Sequence, residues 1–218
     1  MRIRRYGARA LLVELDGPGT AGELAAWLRS RRLADEVVPG ARTVLLSGVR
    51  GGAYGGADGA VDGDRSDLTD AAVAGVERVL AGWVPGEARA RGPLVELPVR
   101  YDGPDLDDVA RRWGMTRREA VATHAAVEHV VAFCGFAPGF PYLAGLPEEL
   151  AVPRLESPRS RVPAGAVGIA DTWTGVYPTG SPGGWRLLGH TEASLWEPER
   201  EPPALLPPGT RVRIVVQP

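Results

Sequence analysis

Three arginines lie close together in a proline-rich stretch and could hold a negatively charged group. Arg154, Arg159 and Arg161 occur within VPRLESPRSRVPAGAVGIA. The guanidinium group is planar and permanently charged, and its fork of donors matches a carboxylate or a phosphate. The alternative is that these are surface arginines paired with Glu156 and solvent, which is the common situation for a single arginine. The stretch predicts an anion site only if other residues converge on it.

A second stretch, FCGFAPGFPYLAGLPEEL, interleaves aromatic residues with prolines and glycines between Phe133 and Leu150. Proline fixes φ and lacks an N–H donor, whereas glycine permits positive φ. The composition therefore predicts a defined loop with exposed backbone and aromatic walls instead of a regular strand or helix. Such loops often bind ligands. The alternative is a rigid crossover whose aromatic rings are simply buried, and composition leaves both open.

A third stretch, TGVYPTGSPGGWRLLGHTE, combines hydroxyl groups, glycines and a histidine. Thr179 and Ser181 supply hydroxyl groups, and His190 follows the SPGGW turn. We expect Gly183 and Gly184 to leave backbone N–H groups free for an oxyanion or a carboxylate.

Charge and composition exclude several classes of function. The 25 basic and 27 acidic residues nearly balance, so no global field would gather nucleic acid or an anionic membrane. Every basic residue is arginine, and the absence of lysine excludes a biotin-carrying residue, a Schiff base and a P-loop on this chain. A single cysteine, Cys134, excludes an internal disulfide and a cysteine-based zinc site, and no metal is predicted. Without a membrane-length apolar run or a signal peptide, we expect a cytoplasmic protein.

Residues 1–92 are predicted to form a small α/β domain. Apolar periodicity gives the order β-α-β-β-α over Ala10–Leu15, Thr20–Leu33, Glu36–Val38, Thr43–Val49 and Leu68–Leu80. The strand Leu94–Val99 is expected to complete a ferredoxin-like unit. The glycine-rich segment Gly48–Asp67 is predicted to be a mobile loop, and Pro85–Pro93 marks the boundary.

Residues 93–218 are predicted to form a second domain that begins with two short helices joined at Gly114. Asp105 is expected to cap the first helix, while Thr116 and Glu119 form a capping-box pattern for the second. Short β-prone runs broken by glycine and proline then predict an irregular antiparallel barrel. These runs are Val130–Phe133, Val167–Ala170, Gly175–Tyr177, Trp185–Leu188 and Arg211–Val216.

Together, and in this order, the motifs resemble the allophanate hydrolase subunit 1 family. This family includes the B subunit of the prokaryotic 5-oxoprolinase, an inhibitor of a sporulation histidine kinase, and a carboxyltransferase domain. The resemblance extends from RIRRYGARALLVEL through LPVRYDGPDLDDVA and is most specific in GFAPGFPYLAGLP, SPRSRVPAGAVGIA and TGVYPTGSPGGWRLLGHT. It implies an α+β chain with an N-terminal ferredoxin-like domain and a C-terminal cyclophilin-like β-barrel. Fold likeness to cyclophilin does not imply prolyl isomerase activity.

The resemblance implies one part of a bipartite enzyme that opens the lactam of 5-oxoproline with ATP to give glutamate. The implied partners are the related, carboxyltransferase-type C subunit of 5-oxoprolinase and its third, A subunit. ATP is expected to be shared with, or bound by, a partner. We expect little activity from the chain alone. Two alternatives remain: the carboxyltransferase half of a biotin-dependent urea-type carboxylase, and a binding protein that inhibits a histidine kinase.

Matching the family pattern onto this sequence predicts the site residues. The catalytic candidates are His124, Arg154, Arg159 and Ser181, and the substrate-binding candidates are Phe136, Pro138, Gly139, Phe140, Tyr142, Tyr177, Gly183, Gly184 and Trp185. From side-chain chemistry, an arginine would hold the substrate carboxylate, and the glycine turn would receive charge on the lactam oxygen. His124 would orient or shuttle a proton. Alternatively, His124 packs at the end of its helix with both nitrogens satisfied.

Three positions depart from the family pattern. Trp173 stands in DTWTG where an amide side chain is usual, His129 stands where tyrosine is usual, and His190 stands where arginine is usual. These changes predict an altered substrate preference or a paralogue with another ligand.

Overall fold

The structure is a computed structural model. It describes residues 1–17, 20–50, 68–85 and 92–218. The chain divides into two compact units, Met1–Ala90 and Arg91–Pro218. No helix in the described ranges is long and apolar enough to cross a membrane.

The N-terminal unit is one antiparallel sheet with two helices. Its elements are β1 (Arg2–Arg5), β2 (Ala10–Glu14), α1 (Ala21–Arg29), β3 (Ala34–Pro39), β4 (Thr43–Val49) and α2 (Asp70–Ala81). The strand order is β1-β2-β4-β3. Leu11 and Val13 alternate with less buried neighbours along β2, and they pack against apolar helical side chains such as Leu24 and Val76. This single core holds the sheet and both helices together.

The strand predicted to complete the N-terminal sheet lies elsewhere, and its assignment to that sheet is wrong. Leu94–Arg100 is a barrel strand of the second unit, and the edge position beside β2 is occupied by Arg2–Arg5. The N-terminal strand escaped prediction because it is an edge strand without a buried alternating face. The ferredoxin-like designation stays a prediction. Most of the predicted mobile loop Gly48–Asp67, and much of the predicted boundary Pro85–Pro93, lie outside the described residues.

The second unit is built around a closed barrel. Its strands are β5 (Leu94–Arg100), β6 (Glu128–Cys134), β7 (Pro141–Ala144), β8 (Arg159–Val162), β9 (Ala166–Ala170), β10 (Trp173–Val176), β11 (Ser181–Gly183), β12 (Arg186–His190) and β13 (Arg211–Gln217). The barrel order is β10-β7-β6-β13-β5-β12-β9, and β11 pairs with β8 as a separate two-stranded sheet. The predicted barrel and the predicted α+β class are confirmed. However, β5 and β13 pair in parallel over seven residues, so the barrel is not wholly antiparallel.

Two helices and a 3-10 turn complete this unit: α3 (Leu106–Arg112), α4 (Arg117–Ala126) and the turn Glu148–Leu150. The predicted capping box of α4 is confirmed, because the Glu119 N–H donates to Thr116 Oγ1 and the Glu119 carboxylate accepts from the Thr116 N–H. The predicted cap by Asp105 is wrong. Its side chain makes no capping hydrogen bond, and it reaches across to other strands instead.

Candidate functional site

A continuous cluster of aromatic rings packs in the barrel unit, and four of its members, Phe133, Phe140, Tyr177 and Trp185, are buried. Phe140 lies at its centre, with ring centroids 5.1, 5.0 and 5.5 Å from Tyr142, Tyr177 and Trp185. Phe133 stacks on Tyr142 at 4.2 Å. Most of the other pairs meet edge to face, an arrangement that aromatic quadrupoles favour. The cluster comprises Phe133, Phe136, Phe140, Tyr142, Trp173, Tyr177 and Trp185.

Two glycines leave the space that these rings occupy. A Cβ on Gly175 would lie 2.7 Å from a Trp185 ring atom and 2.9 Å from the Phe140 ring. A Cβ on Gly183 would lie 2.4 Å from the Tyr177 hydroxyl. Because such distances are well inside van der Waals contact, both positions require glycine for packing, a reason separate from any free backbone N–H.

The loop between β6 and β7 holds Phe136 away from the protein interior. Phe136 has φ of 71° and is 65% exposed, and the Ala137 N–H donates to the Gly135 carbonyl at 2.8 Å. This hydrogen bond spans a single residue, which defines the rare γ-turn with positive φ at its centre. Positive φ is uncommon for a bulky side chain and costs roughly 1–3 kcal/mol. The strain is maintained by the loop, since Gly135 N–H also donates to the Phe140 carbonyl at 3.2 Å.

Arg154 is a cation beside the aromatic cluster that forms no ion pair with the described residues. Its guanidinium carbon lies 6.0 Å from the centroid of the Trp185 ring, at the outer limit of a cation–π contact. The side chain is exposed and makes no salt bridge or hydrogen bond within the parts of the chain that the structure describes. Burial raises the pKa of Tyr142 and of Tyr177, and the nearby Arg154 charge opposes that rise. The site therefore combines an apolar wall with an available positive charge.

Unlike Arg154, Arg159 is already paired with a carboxylate, that of Asp105. Its Nη2 donates to both oxygens of Asp105, at 2.7 and 2.8 Å, and its Nη1 donates to the Trp185 carbonyl at 3.3 Å. Asp105 also accepts from the Leu187 N–H at 2.6 Å. The pair is largely shielded, with side chains 27% and 12% exposed. Sequence reasoning treated Asp105 as a helix cap and so missed this interaction.

The chain matches one known protein family over most of its length. The family model for the carboxyltransferase domain, subdomains C and D, matches residues 1–206. The chain belongs to this carboxyltransferase domain family. The family membership inferred from the motifs is thereby confirmed.

Curated relatives in this carboxyltransferase domain family carry one name, the B subunit of 5-oxoprolinase. The chain is 40% identical to the protein of that name from Escherichia coli O157:H7 over 99% of this chain and 97% of that protein. The protein of the same name from Bacillus subtilis is 47% identical over 56% of this chain and 52% of its own length.

Solved structures agree with the fold. The structure of TTHA0988 superposes with a TM-score of 0.71 at 32% identity, covering 97% of this chain and 40% of that one. A conserved uncharacterized protein from Pyrococcus horikoshii gives a TM-score of 0.55 at 29% identity over 99% of this chain and 97% of its own. Kluyveromyces lactis urea carboxylase, at 17% identity and a TM-score of 0.63 over 22% of its length, supports the fold alone.

His124 lies inside the barrel unit, away from solvent. Its two ring nitrogens are hydrogen-bonded to the Tyr101 hydroxyl at 2.6 Å and to Thr174 Oγ1 at 2.8 Å. Burial lowers its pKa to about 3, with a smaller effect from His129, so the imidazole is neutral at pH 7. A buried and satisfied ring matches the alternative considered above, in which His124 packs at the end of α4.

Ser181 and the two glycines of the SPGGW turn lie on or beside β11. Gly183 pairs with Arg159 in the two-stranded sheet, and the Gly184 carbonyl accepts from the Leu155 N–H at 2.7 Å. The Ser181 Oγ is buried and has no hydrogen-bond partner among the described residues. Pro138 is exposed in the loop beside Phe136, whereas Gly139 is buried with φ of 76°.

The three departures from the family pattern occupy different environments. Trp173 joins the aromatic cluster, 5.5 Å from Phe133 and 6.1 Å from Tyr142. His129 is buried 5.2 Å from the His124 ring, and His190 is half-exposed, with Nδ1 2.8 Å from Asp102. Trp173 is therefore the departure that bears on the aromatic cluster.

Other features of the described chain hold no comparable site. A depression of about 530 Å³ lies in the N-terminal unit, lined by residues that include Arg29, Arg32, Asp35 and Glu36. Its lining mixes cationic and acidic side chains, and Asp35 is paired with Arg9 at 3.7 Å. Within the described residues, no group of three or more His, Cys, Asp or Glu side chains could hold a metal ion.

Proposed function

We propose that this chain is the B subunit of a 5-oxoprolinase, which opens the lactam of 5-oxoproline to give glutamate in an ATP-dependent reaction. The observation that carries the proposal is the 40% identity to the Escherichia coli protein of that name over nearly the full length of both chains. The relatives' name indicates a complex with other subunits, and a hydrolase of a cyclic amide is the reaction class.

The aromatic cluster suits the substrate of that reaction. 5-Oxoproline is a small lactam ring that carries one carboxylate. We assign the carboxylate to Arg154, because its guanidinium is unpaired within the described residues, and the ring to the adjoining face formed by Tyr142 and Trp185. Phe140 contacts both rings of this face, and Phe136 of the β6–β7 loop contacts Phe140 and Tyr177 at 5.4 and 6.5 Å. We place Pro138, which is exposed in the same loop, at the edge of the site.

The remaining candidates support the site in our proposal. Arg159 is held by Asp105 and positions β8 and β12, so the carboxylate is assigned to Arg154 alone. The Ser181 hydroxyl is buried and has no hydrogen-bond partner among the described residues, so we assign Ser181 to the packing of β11 and not to a contact with substrate. His124 positions Tyr101 and Thr174 without contacting substrate.

We assign ATP mainly to a partner in the complex. Nucleotide sites of the P-loop class require a lysine, and the chain has none. The proposed partners are the related C subunit of 5-oxoprolinase and its third, A subunit, and the chain alone is expected to show no turnover. A cytoplasmic location belongs to the same proposal.

The test is ATP-dependent glutamate release from 5-oxoproline, measured for the chain alone and after mixing with the A and C subunits. We expect turnover only in the mixture. In the mixture, Arg154→Gln should raise KM for 5-oxoproline by about 100-fold, because a charge-assisted contact worth roughly 2–3 kcal/mol is lost.

Arg161→Gln is the matched control for Arg154→Gln. Arg161 is also exposed and also makes no salt bridge or hydrogen bond within the described ranges, but it lies beside Gly180, outside the ring contacts. We expect KM within about twofold of the wild-type value. Equal effects of the two substitutions on KM would show that Arg154 does not bind the substrate carboxylate.

A second candidate is the carboxyltransferase half of a biotin-dependent carboxylase. The match to the carboxyltransferase domain, subdomains C and D, favours it. It requires biotin on another chain because this one has no lysine. An assembled complex that ignores 5-oxoproline but transfers a carboxyl group from carboxybiotin would establish this alternative.

A further inference from the structure

The Arg154 side chain and the Trp185 ring come from segments distant in sequence, and one buried side chain joins the two segments. Pro153 immediately precedes Arg154, and Arg186 immediately follows Trp185. The Arg186 Nε donates to the Pro153 carbonyl at 3.0 Å. A single hydrogen bond therefore connects the residue before the proposed carboxylate-binding arginine to the residue after the aromatic ring beside it.

Arg186 can hold this position because its charge is neutralised locally. Its side chain is only 10% exposed, and its Nη1 donates to Asp108 of α3. Asp108 also accepts from Arg112 Nε at 2.9 Å, so the carboxylate is itself fixed on the helix. A guanidinium presents its Nε and Nη donors in one rigid plane, which transmits the position of Asp108 to the Pro153 carbonyl.

Contacts on either side of Arg154 restrain its segment. Leu155 N–H donates to the Gly184 carbonyl at 2.7 Å, and Val152 forms an isolated bridge with Asp171. Residues 151–158, all of them described, form no helix or extended strand between the 3-10 turn and β8. The conformation at Arg154 thus depends on side-chain and bridge contacts, of which Arg186 supplies the one directly adjacent to Arg154 on its N-terminal side.

We propose that Arg186 is a positioning residue for 5-oxoproline binding, which holds Arg154 over the Trp185 ring through the Pro153 carbonyl. The inference rests on the proposed function for the identity of the substrate. It adds a residue that does not touch substrate and that is not among the site residues predicted from the sequence.

Arg186→Lys tests this selectively. Lysine places a methylene where the arginine Nε donates, so the bond to Pro153 is lost while a positive charge remains within reach of Asp108. We expect KM for 5-oxoproline to rise about tenfold while kcat stays within about twofold of the wild-type value, because only the placement of the carboxylate site changes. Arg213→Lys makes the same chemical change at the exposed pair with Glu96 and should leave both constants unchanged.

Two further measurements separate positioning from a general structural role. In the double variant Arg154→Gln with Arg186→Lys, KM should equal that of Arg154→Gln alone, since Arg186 acts through Arg154. In the isolated chain, Arg186→Lys should raise the pKa of Tyr142, because the opposing Arg154 charge moves away. NMR of labelled tyrosine follows this titration, and Tyr142→Phe assigns the signal.

The proposal is overturned if Arg186→Lys leaves KM unchanged, if KM rises while the Tyr142 titration stays as in the wild type, or if the double variant shows additive losses. If Arg186→Lys does not fold, Asp108→Asn provides the same test through the loss of the carboxylate that fixes Arg186. The Tyr142 titration needs no turnover. A wild-type complex that does not act on 5-oxoproline would refute the proposed function while the titration still decides whether Arg186 positions Arg154.

Discussion

Three arginines of the second unit have different environments in the folded chain. Arg159 is held by Asp105 at 2.7 Å, Arg186 is buried against Asp108, and Arg154 is exposed without a partner among the described residues. All three carry the same charged group, so only the neighbours decide whether the charge is available to a ligand. An arginine already neutralised by a carboxylate has little left to gain from a substrate.

The buried histidines make the stability of the chain sensitive to acid. Burial lowers the pKa of His124 to about 3 and that of His129 to about 4, although the His124 backbone slightly favours the protonated form of His129. The unfolded chain therefore binds more protons than the folded chain below the usual histidine pKa of about 6.5. Stability is full above that pH and is lost as the pH falls towards 4.

We predict that the free energy of unfolding in urea falls by about 2 kcal/mol per buried histidine between pH 7.5 and pH 5. His129→Leu should remove about half of this decrease, because it deletes one titrating group. Neither His129 ring nitrogen has a side-chain hydrogen-bond partner among the described residues, so the substitution sacrifices no strong bond. A variant with the wild-type pH dependence would show that His129 is not buried in its neutral form.

Asp105, which precedes α3, connects the helix to the barrel instead of capping it. Asp105 has φ of −104° and ψ of 0°, which differs from the extended backbone of Thr116, a residue that does cap its helix. The Asp105 carboxylate faces Arg159 and the Leu187 N–H. Asp105 thus connects the start of α3 to β8 and β12, the strands on either side of the aromatic residue Trp185 in the fold.

Asp105→Asn should destabilise the chain by about 2 kcal/mol, less than for a fully buried pair because Arg159 remains partly exposed. Urea unfolding at pH 7 measures the change. Asp107→Asn is the matched control on the same helical turn, where the pair with Arg117 is exposed, and it should change stability by less than about 0.5 kcal/mol. Similar losses at both positions would argue against a special role for Asp105.

For the chain as a whole, a requirement for biotin separates the two candidate functions. Any biotin in an assembled complex must be attached to another chain. We predict that avidin leaves ATP-dependent glutamate release by the reconstituted complex unchanged, because that reaction needs no biotin. Loss of activity on adding avidin, but not on adding avidin already saturated with free biotin, would favour the carboxylase alternative.

The strands and helices that the sequence predicts are those whose apolar residues recur with a clear period. The predicted runs at Ala10–Leu15, Val167–Ala170 and Arg211–Val216 correspond to β2, β9 and β13. Strands β7, β8 and β11 were not predicted, since they contain proline or charged residues and two of them pair outside the barrel. The stretch Phe133–Leu150 was expected to contain no regular strand, yet β7 occupies Pro141–Ala144.

The sequence by itself determined the family, the exclusion of functions that need a lysine side chain on this chain, and the residue types of the site, because motifs and composition require no coordinates. Only the tertiary structure decided which arginine is available to a ligand. Arg154 and Arg159 are equivalent in composition, but the barrel brings Asp105 to Arg159 across 54 residues and brings Arg186 to the Pro153 carbonyl across 33. Such long-range pairings depend on strand register and helix placement, which no local pattern records.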